Sequence, residues 1–333
     1  MIFSKIFIEK NVVENPYAKN ILDFFSSTEI TEIDKLENYF EKVKKPYLQK
    51  RENLNLFIGE KKGELVKKTP DAYGQDIGDH YYYVHAYNCI YECEYCYLQG
   101  YFQSPDLVLF VNHHEIVQKM SRISLAAKDK TVWFHAGEYS DSLALAHVTK
   151  EIHLYHEFAK NHPNSIIELR TKSANIKEVL KLEALENFIC SFSLSPSQDA
   201  KDTDHKTAPI KHRLLAIKKL HEQGHPIAVH FDPIIYRPSI TNSYSKLFDE
   251  LALHIELSKI RYTSLGVVRF TSKVLHELKR NYPKSTLLEH EFVKSFDNKI
   301  RYPKPLRMNL LGKIKNELVL KGAKSESIYL CME

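Results

Sequence analysis

The sequence has no long apolar run. Nowhere in its 333 residues do apolar side chains approach the ~18 in succession that a membrane-spanning helix requires. Its first residues, MIFSKIFIEK, are interrupted by Lys5, Glu9 and Lys10, whereas a signal peptide has a continuous apolar core. These absences exclude an integral membrane protein with apolar helices, and they predict a soluble, cytoplasmic protein with no membrane partner.

Cysteine is scarce and odd in number, with five residues in the chain, which argues against a framework of disulfides. The charge is also balanced, because 47 Lys and Arg residues stand against 42 Asp and Glu residues, a net charge of +5. Such a balance does not by itself indicate a nucleic-acid-binding protein. A local excess occurs at 299–315, where six Lys and Arg residues have no acidic neighbour. It is typical of a solvated surface and compatible with phosphate binding.

From residue 79 onward, apolar runs typical of strands alternate with amphipathic helical patterns. The six predicted strands are 81–88, 131–138, 165–172, 188–195, 227–236 and 264–270. This alternation predicts an α/β fold whose parallel strands are joined by right-handed crossovers. Six units are too few for a closed eight-stranded barrel, so the pattern indicates a partial barrel or a doubly wound sheet.

Polar residues stand at the C-terminal ends of these predicted strands. They are Asn88, Gly137-Glu138, Thr171-Lys172, Ser193, Asp232 and Arg269. Because ligands of parallel α/β folds bind at that edge, the same residues are candidates for a functional site.

Three of the five cysteines, Cys89, Cys93 and Cys96, fall within eight residues directly after the first predicted strand. Three thiolate ligands leave a tetrahedral metal site one ligand short. One interpretation is a zinc site that takes a fourth ligand from His80, His85 or a distant residue. The other is a [4Fe–4S] cluster in which one iron has no protein ligand and can hold a small molecule.

The segment CIYECEYC has the spacing C-x3-C-x2-C with an aromatic residue before the last cysteine, and it resembles the signature of radical S-adenosylmethionine (SAM) enzymes. The segments WFHAGEYSDSLAL, LRTKSANI, FSLSPS and VRFTSKVLHELKRNYPKSTL further resemble the spore photoproduct lyase family, over residues 55–315. This resemblance implies a partial (β/α)6 TIM-type barrel of the radical SAM type at 79–285. An N-terminal extension at 1–78 and a short C-terminal cap at 286–333 complete the expected domains.

The resemblance also implies the cofactors and partners. Cys89, Cys93 and Cys96 are expected to bind a [4Fe–4S] cluster, and SAM is expected to bind its open iron. Reductive cleavage of SAM then gives a 5′-deoxyadenosyl radical that abstracts a hydrogen atom from substrate. The implied partners are an external one-electron donor of the flavodoxin or ferredoxin type and a nucleic acid with a damaged or modified base. The oligomeric state and the fate of SAM stay open.

The resemblance assigns roles to further residues of this sequence. Those expected to bind SAM are Tyr95, Gly137, Glu138, Ser140, Lys172 and Ser193. Tyr97 and Glu138 are the implied catalytic residues, with Tyr97 matching a tyrosine of a hydrogen-atom relay.

Glu138 marks a departure from the family. The lyases of the family carry a cysteine at the end of the second strand, which returns a hydrogen atom to the product radical, and Glu138 stands there. A carboxylic acid holds its hydrogen too strongly for that step. One alternative is therefore a radical SAM reaction on tRNA, a peptide or a small molecule. A second alternative is a zinc-stabilised binding module without enzymatic activity.

Overall fold

The structure, a computed structural model, describes residues 3–42, 47, 53–70 and 78–332. No helix in these ranges has both the length and the apolar character needed to traverse a bilayer. The strands in chain order are β1 (Ile6–Glu9), β2 (Ile30–Ile33), β3 (Leu56–Gly59), β4 (Val66–Lys68), β5 (Asp79–Tyr83), β6 (Ala86–Tyr87), β7 (Glu92–Cys93), β8 (Leu107–Phe110), β9 (Val132–Ala136), β10 (Ser165–Thr171), β11 (Phe188–Ser193), β12 (Asp204–His205), β13 (Ile227–Ile234), β14 (Thr263–Val267), β15 (Arg269–Phe270), β16 (Val293–Lys294), β17 (Ile300–Arg301) and β18 (Ile328–Leu330).

The described α-helices are fewer than the strands, and most of them are longer. They are α1 (Pro16–Phe24), α2 (Leu98–Tyr101), α3 (His113–Ala127), α4 (Ala146–Thr149), α5 (Ile152–Asn161), α6 (Ser197–Thr203), α7 (Ile210–Glu222), α8 (Ile240–Ala252), α9 (Ser272–Asn281) and α10 (Lys304–Leu320).

The main sheet has eight strands in the order β18-β14-β13-β11-β10-β9-β5-β4. The seven strands from β18 to β5 run parallel, and β4 adds to β5 in the antiparallel direction. Strands of Val, Ile and aromatic residues fit this sheet because both of its faces are largely covered. The sheet curls into a half barrel, which confirms the predicted α/β class and partial barrel. The sequence did not predict β18, the seventh parallel strand.

A second sheet forms from the N-terminal segment and the start of the barrel segment. Its order is β2-β1-β3-β8-β6, with β6 antiparallel to β8. The run predicted as one strand, 81–88, is therefore divided between β5 in the main sheet and β6 in the second sheet. The predicted domain boundaries after residues 78 and 285 stay a prediction, and parts of segment 1–78 lie outside the described residues.

The interior of the half barrel is polar at its centre. Glu168 on β10 is fully buried and accepts hydrogen bonds from His135, from His230 over 2.6 Å and from Ser191 over 2.7 Å. Burial by itself raises the pKa of Glu168, but Arg170, His135 and His230 outweigh it and hold the pKa well below its usual value. The barrel therefore encloses an ionised carboxylate with a full set of hydrogen-bond donors.

Candidate active site

A cavity of about 420 Å³ lies at the C-terminal ends of the parallel strands. The cysteine loop after β6, the loop after β9 and the ends of β10, β11 and β13 form its walls together with residues 268–271. All ten residues to which the family resemblance assigns a role line this cavity: Cys89, Cys93, Cys96, Tyr95, Tyr97, Gly137, Glu138, Ser140, Lys172 and Ser193. The structure thus brings together residues that the sequence spreads over more than a hundred positions.

The three clustered cysteines face the cavity from one loop. Cys93 ends β7, which pairs with β12, and Cys96 lies just before α2. Burial raises the pKa of Cys93 to about 12, although Lys172 opposes part of this effect, and burial also raises the pKa of Cys89. Thiolates at these positions therefore require a positively charged partner, as metal ligation provides.

Gly137 gives the loop after β9 a sharp turn. Its φ is +90°, and a β-carbon there would lie 2.8 Å from Ser142 Oγ and 3.0 Å from the carbonyl oxygen of Arg170. Only glycine fits a backbone with this φ and these neighbours. The turn directs the next residues, Glu138 and Ser140, along the cavity wall.

Asp141 holds the same loop against β10. Its Oδ1 accepts hydrogen bonds from the N–H groups of Leu143 and Ala144 and from Thr171 Oγ1, and its Oδ2 accepts from the N–H of Lys172. The bonds to Leu143 and Ala144 resemble a helix cap, and the bonds to Thr171 and Lys172 join the loop to the end of β10.

Lys172 is surrounded by groups of the cysteine loop. Its Nζ lies 2.6 Å from Tyr95 Oη, 3.4 Å from Asp204 Oδ1 and 3.5 Å from Cys93 Sγ. The Tyr95 hydroxyl in turn donates to Asp204 Oδ1. Burial by itself lowers the pKa of Lys172, but Asp204 and Cys93 outweigh it and hold the pKa above its ordinary value. The side chain, which is 16% exposed, is therefore a largely buried cation in contact with one of the three clustered thiols.

Two other cavity residues differ in access. Tyr97, just before α2, is 39% exposed, so its ring is open to a ligand that enters the cavity. Ser193 ends β11 and is buried, and its carbonyl oxygen accepts a hydrogen bond from Arg213 Nη1 over 2.8 Å.

Asp232 and Arg269, which were candidates because they stand at the ends of predicted strands, both line the cavity. Arg269 forms a bidentate ion pair with Asp232, with N–O distances of 2.9 and 2.8 Å. Its Nη2 also lies 3.7 Å from the sulfur of Cys331, a buried residue that directly follows β18. Arg170 lines the cavity from β10. The sequence could have indicated Arg170, because alternate residues of a strand share a face. Arg170 lies two residues before Lys172, a predicted site residue, and two after Glu168.

The sequence model of the family described as "Spore photoproduct lyase" matches residues 2–304. The chain belongs to the spore photoproduct lyase family. A spore photoproduct lyase of Bacillus subtilis (strain 168) is 25% identical over 289 residues, which cover 85% of this chain and 83% of the relative. A spore photoproduct lyase of Clostridium acetobutylicum is 20% identical over 289 residues, 86% of this chain and 84% of that protein.

Solved structures of the spore photoproduct lyase family share the fold. A mutant lyase with dinucleoside spore photoproduct superposes with a TM-score of 0.85 at 19% identity, covering 99% of this chain and 98% of the other. Another mutant, with bound AdoMet and dinucleoside spore photoproduct, has a TM-score of 0.83 over the same shares of both chains. Membership in the family confirms the prediction of a radical SAM enzyme and of its half-barrel fold.

Proposed function

We propose that this chain binds a [4Fe–4S] cluster through Cys89, Cys93 and Cys96, binds SAM in the adjoining cavity, and acts on a base of a nucleic acid. The observation that carries the proposal is that all ten residues with an expected role line one cavity. When bound, the cluster and SAM supply a 5′-deoxyadenosyl radical, which removes a hydrogen atom from the substrate.

The donor set favours a cluster over a zinc ion. One zinc ion needs its ligands gathered at about 2.3 Å from a single point, whereas a cluster takes one thiolate on each iron. In the described ranges, no three His, Cys, Asp or Glu side chains are gathered closely enough to hold one metal ion. His80 and His85, considered as a fourth zinc ligand, contact His135 and Glu151 and do not line the cavity.

The chain's own residues prepare the cavity for SAM. Lys172 offers a cation beside Cys93, suited to the carboxylate of a SAM molecule held at the cluster. Gly137, Glu138 and Ser140 offer backbone and side-chain acceptors on the facing wall, suited to the SAM ammonium group. The half barrel surrounds these groups and limits the access of water to a reactive radical.

A nucleic-acid substrate is supported by the hairpin of β16 and β17, which reaches the cavity through Lys299. The hairpin of β16 and β17 carries Phe296, which is 95% exposed at the turn, and Lys299, which lines the cavity. Burial and the neighbouring Arg269 lower the pKa of Lys299, so an anion bound there would stabilise its charged form. An exposed aromatic ring in the same turn as a lysine is a combination that fits base stacking and phosphate binding.

Glu138 favours a second candidate function. If the chain carries no hydrogen donor at this position, a reaction on tRNA, a peptide or a small molecule fits the cavity as well as repair of a DNA lesion. The test is dithionite-driven cleavage of SAM by anaerobically purified protein, with and without DNA that carries spore photoproduct. SAM cleavage that becomes faster with the lesion supports DNA repair, whereas SAM cleavage at the same rate with and without DNA supports the second function. Protein without iron and sulfide would refute the cluster itself.

A further inference from the structure

A buried network of side chains stands directly behind Cys93. Strand β12 pairs antiparallel with β7, which sets Asp204 opposite Cys93 in the register. The N–H of Glu94 also donates to the carbonyl oxygen of Thr203 over 2.9 Å. Backbone hydrogen bonds therefore fix the backbone of Asp204 next to the loop that carries the three cysteines.

The charges of this network do not cancel. Asp204 Oδ1 lies 3.4 Å from Lys172 Nζ, and Asp204 Oδ2 lies 3.5 Å from Arg213 Nη2. Arg213 is fully buried and is also held by Thr207 Oγ1 over 2.6 Å. Two cations thus share one carboxylate, which leaves a net positive charge beside the sulfur of Cys93.

Lys172 reaches the sulfur itself. Its Nζ lies 3.5 Å from Cys93 Sγ, within hydrogen-bonding distance for sulfur, and 4.5 Å from the centre of the Tyr95 ring. The ring beneath the ammonium group and the Tyr95 hydroxyl restrict where Lys172 can point. A lysine that served only as an ion-pair partner of Asp204 would not need this contact with a thiol.

Hydrogen bonds to cluster sulfurs and the local net charge both set the potential at which an iron–sulfur cluster accepts an electron. Reduction adds one negative charge, so a nearby cation and an N–H···S bond stabilise the reduced form. Both effects are strong in a buried site because little water screens them.

We propose that Lys172 and Asp204 act through Cys93 to set the reduction potential of the cluster, with Lys172 raising the potential and Asp204 lowering it. This inference rests on the proposed function, because it requires the cluster. It assigns both residues a positioning role on the electron-accepting group, separate from any contact of Lys172 with SAM. The electron itself comes from the external one-electron donor.

The test is a redox titration of anaerobically reconstituted protein without SAM. Visible absorption and electron paramagnetic resonance measure the reduced fraction of the cluster at each potential. Lys172→Met keeps the apolar stem and removes the charge, so its potential should become more negative. Asp204→Asn removes the opposing charge, so its potential should become more positive. Lys172→Arg keeps a cationic donor and should restore a potential close to that of the wild type.

Lys177→Met is the matched control, because Lys177 is an exposed lysine outside the cavity and its loss should leave the potential unchanged. Should Lys172→Met not fold, Lys172→Gln carries the same expectation. Unshifted potentials in loaded Lys172 and Asp204 variants would overturn this inference while leaving the proposed function intact. Wild-type protein that takes up no iron would overturn the proposed function as well.

Discussion

The carboxylate of Asp141 accepts a hydrogen bond from the backbone N–H of Lys172 over 2.7 Å. This bond joins the loop after β9, which carries Gly137 and Ser140, to the end of β10. The two walls of the cavity on which SAM contacts are expected therefore form one unit. A change in either wall is expected to disturb the other, since the same carboxylate also accepts from Thr171 Oγ1.

Gly137→Ala should damage this unit. The positive φ disfavours alanine by roughly 1–3 kcal/mol, and the added methyl group meets the backbone of Arg170. We expect a lower midpoint of urea unfolding and weaker SAM binding. Gly312→Ala is the matched control, because Gly312 lies within α10 with open space around it, and alanine there should stabilise the protein by about 0.5–1 kcal/mol. Equal midpoints for both variants would contradict this account of Gly137.

Replacing Cys89, Cys93 or Cys96 with alanine should remove the visible absorption of the cluster and most of the bound iron, because each thiolate is expected to hold a separate iron. Iron and sulfide analysis of anaerobic protein measures the effect. Cys190→Ala is the control, since Cys190 is a buried thiol of β11 that does not line the cavity. A cluster that survives in any of the three variants would refute the ligand set.

The sequence allowed most of the barrel to be predicted, because buried parallel strands read as apolar runs between amphipathic helices. The end of α7 could also be predicted, because Gly224, which follows its C-cap residue Gln223, has a φ of +85°. The second sheet was missed. Its strands β1, β2 and β3 have four residues each, and β1 pairs with β2 and β3, which are distant from it in sequence. Short strands paired over long distances leave little local signal.

The sequence likewise identified some residues of the candidate site and missed others. The cysteine spacing and the strand ends are local patterns, so the residues along the cavity could be chosen in advance. Asp204 and Arg213 could not, because Asp204 lies in a two-residue strand and Arg213 on a helix without any unusual pattern. Their importance comes from the pairing of β12 with β7, which only the folded chain reveals.

Glu138→Cys tests whether the cavity otherwise suits the lyase reaction of the family. A thiol at this position can give a hydrogen atom to a carbon radical, whereas the carboxyl group cannot. With dinucleoside spore photoproduct as substrate, we expect more repaired product per SAM cleaved, and deuterium from D₂O in that product. Glu64→Cys, an exposed position away from the cavity, is the control. No gain over this control would argue for the second candidate function.

Lys299→Ala should weaken binding of nucleic acid and reduce its salt dependence. Each phosphate contact contributes about one unit to the slope of log affinity against log salt, so the loss of one contact should lower the slope by about 1. Fluorescence anisotropy of labelled DNA over a range of salt concentrations measures this slope. Lys324→Ala, at an exposed position that does not line the cavity, should keep it. An unchanged slope in Lys299→Ala would separate the hairpin from phosphate binding.

His113 at the start of α3 predicts how stability depends on pH. Its side chain is 2% exposed, and its Nδ1 lies 3.0 Å from Tyr155 Oη. Burial lowers the pKa of His113 to about 4. Repulsion from His85 and His114 lowers this pKa further, whereas attraction to Glu151 opposes the shift. The folded state therefore favours the neutral ring, and the unfolded state takes up a proton first as the pH falls.

A histidine with a depressed folded pKa contributes its full stability above its unfolded pKa of about 6.5 and loses it as the pH falls toward 4. The wild type should lose about 2 kcal/mol from this group between about pH 7.5 and pH 5. Urea unfolding at several pH values measures the loss. His113→Gln should flatten this part of the profile, and His114→Gln, at an exposed position, should keep the wild-type slope. Parallel profiles for the wild type and His113→Gln would show that another group controls this range.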